Sequence, residues 1–289
     1  MSITAPKKAE PGVLYVIATP LGNLRDITLR ALEVLEGVDL IAAEDTRTAL
    51  KLLNHFQIKG PKLVAYHEHN ERARTPHLIK VLKEGKSVAL VSEAGTPGIS
   101  DPGAILVRRA HEEGLQVVPV PGPSALACAL SVSGFLLKEG FIFLGFLPAK
   151  TTRRRKILEE ITSERRPLVF FEAPHRLRET LKDALEILGD REVFLAREMT
   201  KRHEEYCLSR LKELWERFSR EEPRGEFTLV LAGARPEDSR PSQEEIKKAL
   251  KEALKKGLSL KEAAALVAQK MEVSKKSAYQ MALKLKPPH

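Results

Sequence analysis

Residues 88–103 have the composition of a wall that holds a small ligand. They begin as an apolar, β-branched run and become a loop in which Gly95, Gly98 and Gly103 alternate with two prolines. Glycine lets a ligand approach bare backbone, and proline stiffens the chain. Open α/β sheets hold small ligands at such loops, where a buried strand ends. We therefore interpret this loop as a ligand wall rather than as a tight structural turn.

Two further loops have the same character, namely residues 19–23 (TPLGN) and 121–125 (PGPSA), and each follows an apolar run of strand length. A doubly wound sheet would gather all three loops along one edge. Ser124 is a good residue to begin the next helix, where unpaired backbone N–H groups can hold a polar ligand group. The alternative is three ordinary strand–helix turns. The usual dinucleotide and phosphate-loop motifs are absent from the sequence, so they are not the binding device.

A base for proton transfer is the least determined part of the site. Asp45 and Arg47, in the segment EDTR, follow the second apolar run and face the same predicted cleft. Asp45 could accept a proton or orient a substrate, or the two residues could form an ion pair that caps the next helix; the sequence leaves both readings open. Glu198, Lys201 and His203 form a further polar cluster to which the sequence assigns no role.

Two basic segments indicate an anionic partner. Residues 150–156 (KTTRRRK) hold five cationic residues in seven positions, which suits gripping a phosphate backbone, although charge runs more often form solvated helix faces. Residues 242–286 hold eleven lysines and five glutamates, a difference of +6 out of the chain's +9. The HxH of His67 and His69 is more typical of a polar loop than of a metal site, so no metal is predicted.

The elements that must position these groups can be read from the alternation of short apolar runs with helical stretches. Five runs in residues 12–134 predict a mostly parallel sheet covered on both faces, and residues 135–233 predict a second α/β domain with four strands. Residues 234–243 are a proline-rich linker, and residues 242–286 predict a basic module of three helices, with Ser259 and Glu262 as a capping box.

Composition excludes several classes of protein. The apolar runs are shorter than the roughly 18 residues of a membrane helix, and the first eleven residues are too polar for a signal peptide, so we expect a cytoplasmic protein. Cys128 and Cys207 form no CxxC pair, which argues against a zinc site or a disulfide framework.

The three loops, together with AEDTR, YHEHNE, GFLP, FFEAPHR and AREMTKRHEE, resemble the RsmI family of bacterial small-subunit rRNA methyltransferases, which have the tetrapyrrole-methylase-like (class III) fold. The resemblance covers about residues 13–233. It implies two α/β domains with S-adenosylmethionine in the cleft between them, a homodimer, and methyl transfer to the ribose 2′-oxygen of a decoding-site cytidine in 16S rRNA. Glu93 stands where the family usually has Asp, which keeps the charge and adds a methylene group.

Carried over to this sequence, the resemblance places twelve residues at the methyl donor: Leu21, Gly22, Ala94, Gly95, Thr96, Pro97, Ile99, Ser100, Ser124, Ala125, Glu172 and Ala173. For the rRNA, the basic run contributes Lys150, Arg153, Arg154, Arg155 and Lys156, and Arg176 extends the patch. Two alternative functions remain: the same fold acting on a tetrapyrrole or other small molecule, and an RNA-binding assembly factor that keeps the cleft without catalysis. The basic segments argue against the first, and the intact glycine-rich loops argue against the second.

Overall fold

The computed structural model describes residues 9–235, 243–255, 257–271 and 274–284. This part of the chain forms two five-stranded sheets, the helices that cover them, and a C-terminal group of three helices. No helix in these ranges is long and apolar enough to cross a membrane.

The first sheet is entirely parallel, in the order β3-β2-β4-β1-β5. Its strands are β1 (Leu14–Ile17), β2 (Leu40–Ala43), β3 (Lys62–Ala65), β4 (Val88–Val91) and β5 (Val117–Val120). Successive side chains enter opposite cores, so that Tyr15 and Ile17 pack with one set of helices and Leu14 with the other. A parallel strand buried on both faces needs a continuous apolar run, which explains why the sequence predicted this sheet correctly.

Helices cover both faces of this sheet. They are α1 (Leu29–Gly37), α2 (Thr46–His55), α3 (Glu71–Lys83) and α4 (Ala104–Glu112). The first two pack on the Tyr15 face and the other two on the Leu14 face. Local sequence sets their starts: Thr28 caps α1 by accepting a hydrogen bond from the backbone N–H of Ala31 at 3.1 Å.

The second sheet is mixed, in the order β6-β7-β10-β8-β9, with only β6 and β7 parallel. Its strands are β6 (Ile142–Phe146), β7 (Leu168–Glu172), β8 (Glu192–Arg197), β9 (Glu205–Arg210) and β10 (Phe227–Leu231). Helices α6 (Thr151–Glu160), α7 (Pro174–Leu188) and α8 (Leu211–Arg220) cover one face. The sequence analysis missed β9 because this edge strand is short and exposes every second side chain, so it lacks the long apolar run that identified the other strands.

The other face of the second sheet is covered by α5 (Ala125–Val132). This helix follows β5 of the first sheet along the chain, but Ala129 and Leu130 pack with Val169, Phe194 and Val230 of the second sheet. Because α5 is joined to the first sheet through the chain and packs against the second sheet, it holds the two sheets in a fixed position with a space between them.

The C-terminal helices are α9 (Gln243–Lys255), α10 (Leu260–Lys270) and α11 (Lys275–Lys284). They share a small core that includes Ile246, Leu250, Val267 and Ala282. The predicted capping box is confirmed, since Ser259 and Glu262 bond to each other's backbone at the start of α10. Most of the predicted linker, residues 236–242, lies outside the described residues, as do Lys256, Glu272 and Lys286.

Candidate active site

A cleft of about 590 Å³ lies between the two sheets. Its first wall consists of the loops that follow β1, β2, β4 and β5, and its second wall comes from the ends of β6, β7 and β10 with the segment after β8. Eleven of the twelve predicted donor residues line it: Leu21, Gly22, Ala94, Gly95, Thr96, Ile99, Ser100, Ser124, Ala125, Glu172 and Ala173. Pro97 is buried and stands outside the lining, so its contribution is to the rigidity of the loop.

Backbone hydrogen bonds and short side chains hold the first wall together. Thr19 and Gly95 form an antiparallel bridge, in which the backbone nitrogen of each residue lies 2.8 or 3.0 Å from the carbonyl oxygen of the other. The hydroxyl of Thr96 donates to the carbonyl of Pro123 at 3.1 Å, and the backbone N–H of Glu93 donates to the Glu44 carboxylate at 3.0 Å. These bonds join the loops after β1, β2, β4 and β5 into one rigid surface.

Gly95 is required in this surface for two reasons. Its φ of +82° lies in the left-handed region, which β-branched residues avoid. A Cβ at this position would also come within 3.2 Å of Leu21 Cδ2 on the neighbouring loop. Next to it, Ser124 caps α5 by accepting a bond from the Ala127 N–H at 3.5 Å, as the sequence predicted.

Side chains make up the second wall. Phe146 and Phe171 meet edge to face with their ring centroids 5.6 Å apart, and Met199, Phe227 and Thr228 complete the apolar part. The sequence analysis missed all five residues. The three phenylalanines sit at strand ends within apolar runs, where a cleft residue and a core residue have the same sequence pattern.

Glu172 is held in this wall by several donors. Its side chain is fully buried; it accepts hydrogen bonds from the Thr180 hydroxyl at 2.6 Å and the Ala173 N–H at 2.9 Å, and the Arg176 Nε lies 3.2 Å away. Arg176 also donates to the carbonyl of Leu147. This guanidinium already neutralises a buried carboxylate, so binding of RNA by Arg176 stays a prediction to which the structure adds no support.

Lys201 connects the two walls and gives the polar cluster of the sequence analysis a structural role. Its ammonium group donates to Glu198 at 2.8 Å and to Glu226 at 3.0 Å, and its aliphatic stem lies directly against Gly22. Thr200 accepts a hydrogen bond from the Asn23 N–H at 3.1 Å. Glu198 and Thr200 have positive φ values of 51° and 65°, and such local strain is often found beside functional sites.

Three carboxylates lie on the first wall, namely Glu44, Glu93 and Asp101. Partial burial raises the pKa of Asp101 to about 7, with repulsion from Glu44 and Glu93 adding to the effect and a hydrogen bond from Ser92 opposing it. The sequence analysis included this residue only within the loop of residues 88–103 and did not single it out, because a pKa shift depends on burial and on neighbours such as Glu44 that are distant in sequence.

Asp45 and Arg47 stand outside the lining of the cleft. The Asp45 carboxylate caps α2, accepting bonds from the backbone N–H groups of Arg47 and Thr48 at 2.7 and 3.4 Å. The Arg47 guanidinium binds the same carboxylate, and these bonds hold the pKa of Asp45 far below its usual range. The structure therefore favours the capping alternative over the catalytic one, because so weak a base is poorly suited to accept a proton.

The basic run on α6 does not present all its cations to solvent. Arg154 is only 1% exposed and pairs with Asp183 at 2.7 Å, and Arg155 bridges Asp183 and Glu186. The expectation that Arg154 grips RNA is wrong, since its charge is already paired inside the protein. Lys150, Arg153 and Lys156 are exposed.

A metal site finds no support in the described ranges, which contain no group of three His, Cys, Asp or Glu side chains that could hold an ion. His67 instead bonds to the Asn70 amide at 3.0 Å within its own loop.

Two α/β layers enclose a cleft with one wall of glycine-rich loops and one wall of side chains, which is the arrangement of the tetrapyrrole methylase class. Residues 13–215 match the family model "Tetrapyrrole (Corrin/Porphyrin) Methylases", and residues 240–286 match "RsmI C-terminal HTH domain". The fold is similar to that of uroporphyrin-III-C-methyltransferase from Thermus thermophilus (22% identity, TM-score 0.54, covering 76% of this chain and 94% of that one). It is also similar to that of the methyltransferase CobJ (19% identity, TM-score 0.59, covering 77% and 95%).

Sequence similarity is more specific. Ribosomal RNA small subunit methyltransferase I of Synechocystis is 46% identical over 277 residues, which is 95% of this chain and 98% of that protein. The protein of the same name from Thermotoga maritima is 52% identical over 222 residues, which is 77% of this chain and 99% of that protein. The chain belongs to the ribosomal RNA small subunit methyltransferase I family.

Proposed function

We propose that this enzyme transfers a methyl group from S-adenosylmethionine to the ribose 2′-oxygen of a decoding-site cytidine in 16S rRNA. The observation that carries the proposal is the cleft itself, since eleven residues named from sequence motifs converge on one cavity between the sheets. Family membership supports the rRNA substrate, and such a substrate implies a cytoplasmic enzyme.

The first wall fits the methyl donor. At Gly95 bare backbone faces the cavity, and an added Cβ would fill the space beside Leu21. Ser124 and Ala125 bring the N-terminus of α5 to the same wall, where unpaired N–H groups suit a polar end of a ligand. The cleft volume of about 590 Å³ lies within the usual range for sites of this size class, roughly 300–1,000 Å³.

S-adenosylmethionine supplies an activated methyl group with its own leaving group. The residues of the chain then need to orient the two reactants and assist the loss of the hydroxyl proton. The bridged loops of the first wall provide rigid orientation, and Phe146, Phe171 and Met199 give the second wall an apolar surface that excludes water. No metal is part of the proposal.

The rRNA is held outside the cleft in this proposal. Lys150, Arg153 and Lys156 are exposed on α6, and the C-terminal helices expose Lys248, Lys251, Lys255, Lys261, Lys270 and Lys275. A helix-turn-helix module with an exposed set of lysines suits phosphate binding, which positions a substrate without reading its sequence. The alternative is that these helices serve only as a structural cap.

Salt dependence separates these two roles of the C-terminal helices. Each phosphate contact contributes roughly −0.7 to −0.9 to the slope of log affinity against log salt concentration. Deleting the chain from Ser242 onward should make the slope shallower by about two units or more while donor binding survives. An unchanged slope with a lower melting temperature would show that the helices are structural.

A homodimer is also part of the proposal. Tyr206 and Leu208 of β9 lie opposite Ala196 and Phe194 of β8, so all four side chains are on the face of the second sheet that α5 covers. The side chains of Tyr206 and Leu208 are nevertheless 44% and 56% exposed. Such an apolar strip at a sheet edge suits a second copy of the chain. Light scattering should give a dimer mass, and Leu208→Lys should lower it; a monomeric parent chain would contradict this assignment.

The activity is tested by mapping ribose methylation in small-subunit rRNA from cells with and without the gene, and after incubation of unmodified subunits with the purified enzyme. One cytidine in the decoding region should lose its 2′-O-methyl group in the deletion strain and regain it in vitro. Methylation of a base, or transfer to a porphyrinoid with none to rRNA, would overturn the proposal.

A further inference from the structure

Five carboxylates line the cleft within the described chain, and their surroundings divide them into two groups. On the second wall, Glu172 lies 3.2 Å from the Arg176 guanidinium and Glu226 accepts a bond from Lys201. Both charges are compensated by cations that the fold places beside them. These two carboxylates are therefore already engaged by partners within the protein.

On the first wall, Glu44, Glu93 and Asp101 have no hydrogen-bonded cation among residues 9–235. The Glu44 carboxylate is engaged by the Glu93 backbone N–H. Glu93 is exposed at the surface, where Arg47 of α2 attracts it. Asp101 is partly buried and faces the negative charges of the two glutamates.

The backbone holds Asp101 in a defined place. Ser100, immediately before it, has a φ of 64° and lies against β6, where a Cβ on Gly145 would come within 2.9 Å of the Ser100 hydroxyl oxygen. Gly103, two residues after Asp101, is the N-cap of α4. The segment is therefore clamped between the second sheet on one side and a helix start on the other, and Asp101 lies in the lining next to the proposed donor residues.

We propose that Asp101 is the catalytic residue that accepts the hydroxyl proton of the substrate, and that Glu44 and Glu93 are positioning residues that make it a stronger base. The assignment rests on the proposed ribose methylation. As the oxygen–methyl bond forms, the carbon–sulfur bond of the sulfonium breaks and its electron pair stays on sulfur as a neutral thioether. The 2′-hydroxyl proton passes to the Asp101 carboxylate, which solvent later deprotonates.

The arrangement has the properties that this step needs. A general base is most effective when its pKa is near the working pH, and the value of about 7 for Asp101 meets that condition. The like charges of Glu44 and Glu93 also favour uptake of the proton, since protonation relieves their repulsion. Asp45, with its strongly lowered pKa, meets neither condition.

The experiment measures methyl transfer to unmodified small subunits from pH 5 to 9 for the parent enzyme and three variants. The parent rate should rise with pH to a plateau, with a midpoint near pH 7. Asp101→Asn should lower turnover by about 10² to 10⁴ and remove that midpoint. Glu44→Gln should move the midpoint to lower pH, because one repelling charge is lost. Glu226→Gln is the matched control, and its midpoint should stay at the parent value.

Two readouts that do not depend on turnover complete the test. Carboxyl NMR titration of the donor-free protein should show a group with a pKa near 7 that is missing in Asp101→Asn and shifted down in Glu44→Gln. Calorimetry should give a donor affinity within a few-fold of the parent for Asp101→Asn.

The outcomes distinguish this inference from the proposed function. If the parent enzyme methylates no ribose, the proposed function fails. If it does so and Asp101→Asn turns over within a few-fold of the parent, Asp101 is not the base. A large loss of donor affinity in Asp101→Asn would make Asp101 a donor-binding residue and also overturn the inference.

Discussion

The two walls of the cleft are built from different parts of the polypeptide. The first wall is largely backbone, with parallel-strand loops tied to one another through Thr19, Gly95 and Thr96. The second wall is largely side chain, with phenylalanines and a carboxylate held by Arg176. A wall of backbone offers close approach and fixed N–H and C=O groups, whereas a wall of side chains offers shape and an apolar surface.

The same residue type therefore behaves differently on the two sides. Glu172 and Glu226 on the second wall sit beside cations, while Asp101 on the first wall faces other carboxylates. The chemistry of a carboxylate in this cleft therefore depends on its charged neighbours more than on its position. Substitutions at Gly95, Arg176 and Asp101 test the difference between the walls, and a substitution at Asp45 tests a carboxylate outside the cleft.

The largest effect is expected at the backbone wall. Gly95→Val should abolish measurable donor binding in calorimetry, because it combines a left-handed φ of +82° with a side chain directed at Leu21. Gly98→Val is the matched control, since Gly98 has a φ of +80° with no atom within 4 Å of an added Cβ. Equal loss of donor binding in both variants would mean that backbone strain, and not contact with the donor, is responsible.

The next largest effect is a loss of stability, expected at the side-chain wall. Arg176→Met leaves the buried Glu172 without its cation, which should lower the free energy of unfolding by about 3–5 kcal/mol in urea titrations. Arg47→Met removes a guanidinium that is 86% exposed and should change the unfolding midpoint far less. Similar losses in the two variants would contradict the contrast between a buried and an exposed pair.

A smaller change in the free energy of unfolding, this time an increase, is expected when Asp101 is replaced. A rise in the pKa of Asp101 from 3.8 to about 7 corresponds to a loss of at most about 4 kcal/mol in the free energy of unfolding when the group ionises. Because the group is partly exposed, the expected loss is about 1–2 kcal/mol. Because the folded pKa is raised, ionisation destabilises the fold progressively from pH 4 to pH 7. Asp101→Asn should therefore be more stable than the parent at pH 8 and equally stable at pH 3.5. If the variant were instead less stable than the parent at pH 8, ionised Asp101 would not be destabilising the fold.

The smallest effect is expected at Asp45, outside the cleft. Asparagine is as good an N-cap as aspartate. Asp45→Asn should therefore keep the melting temperature within a few degrees of the parent and the turnover within a few-fold. Asp45→Ala should lower the melting temperature, because it removes the bonds to the Arg47 and Thr48 N–H groups. A turnover reduced by 10² or more in Asp45→Asn would restore the catalytic alternative.

Sequence alone identified the backbone wall well, for a physical reason. Loops that turn tightly after a buried strand need glycine, as at Gly95, and the helix that follows needs a capping residue, as at Ser124. Both kinds of residue can be recognised without knowing their neighbours in space. The parallel sheet was equally accessible, because burial on both faces requires unbroken apolar runs.

The rest depended on contacts between distant residues. Arg154 looked like an RNA-binding cation because its partner, Asp183, lies on another helix. Phe146 and Phe227 looked like core residues because cleft and core use the same side chains. The raised pKa of Asp101 comes first from burial and then from repulsion by Glu44, which follows a different strand, and by Glu93. Pairing and desolvation are properties of the folded chain, and a one-dimensional pattern does not contain them.

The most direct test of the account is a crystal structure of the enzyme with S-adenosylhomocysteine, the product that remains after methyl transfer. This ligand should lie between the two walls, against the backbone of Gly95 and Thr96, with its sulfur facing Asp101. Room for one hydroxyl group should separate the sulfur from the Asp101 carboxylate, a gap of about 5–8 Å. A ligand bound outside the cleft, or one whose sulfur faces away from Asp101, would contradict it.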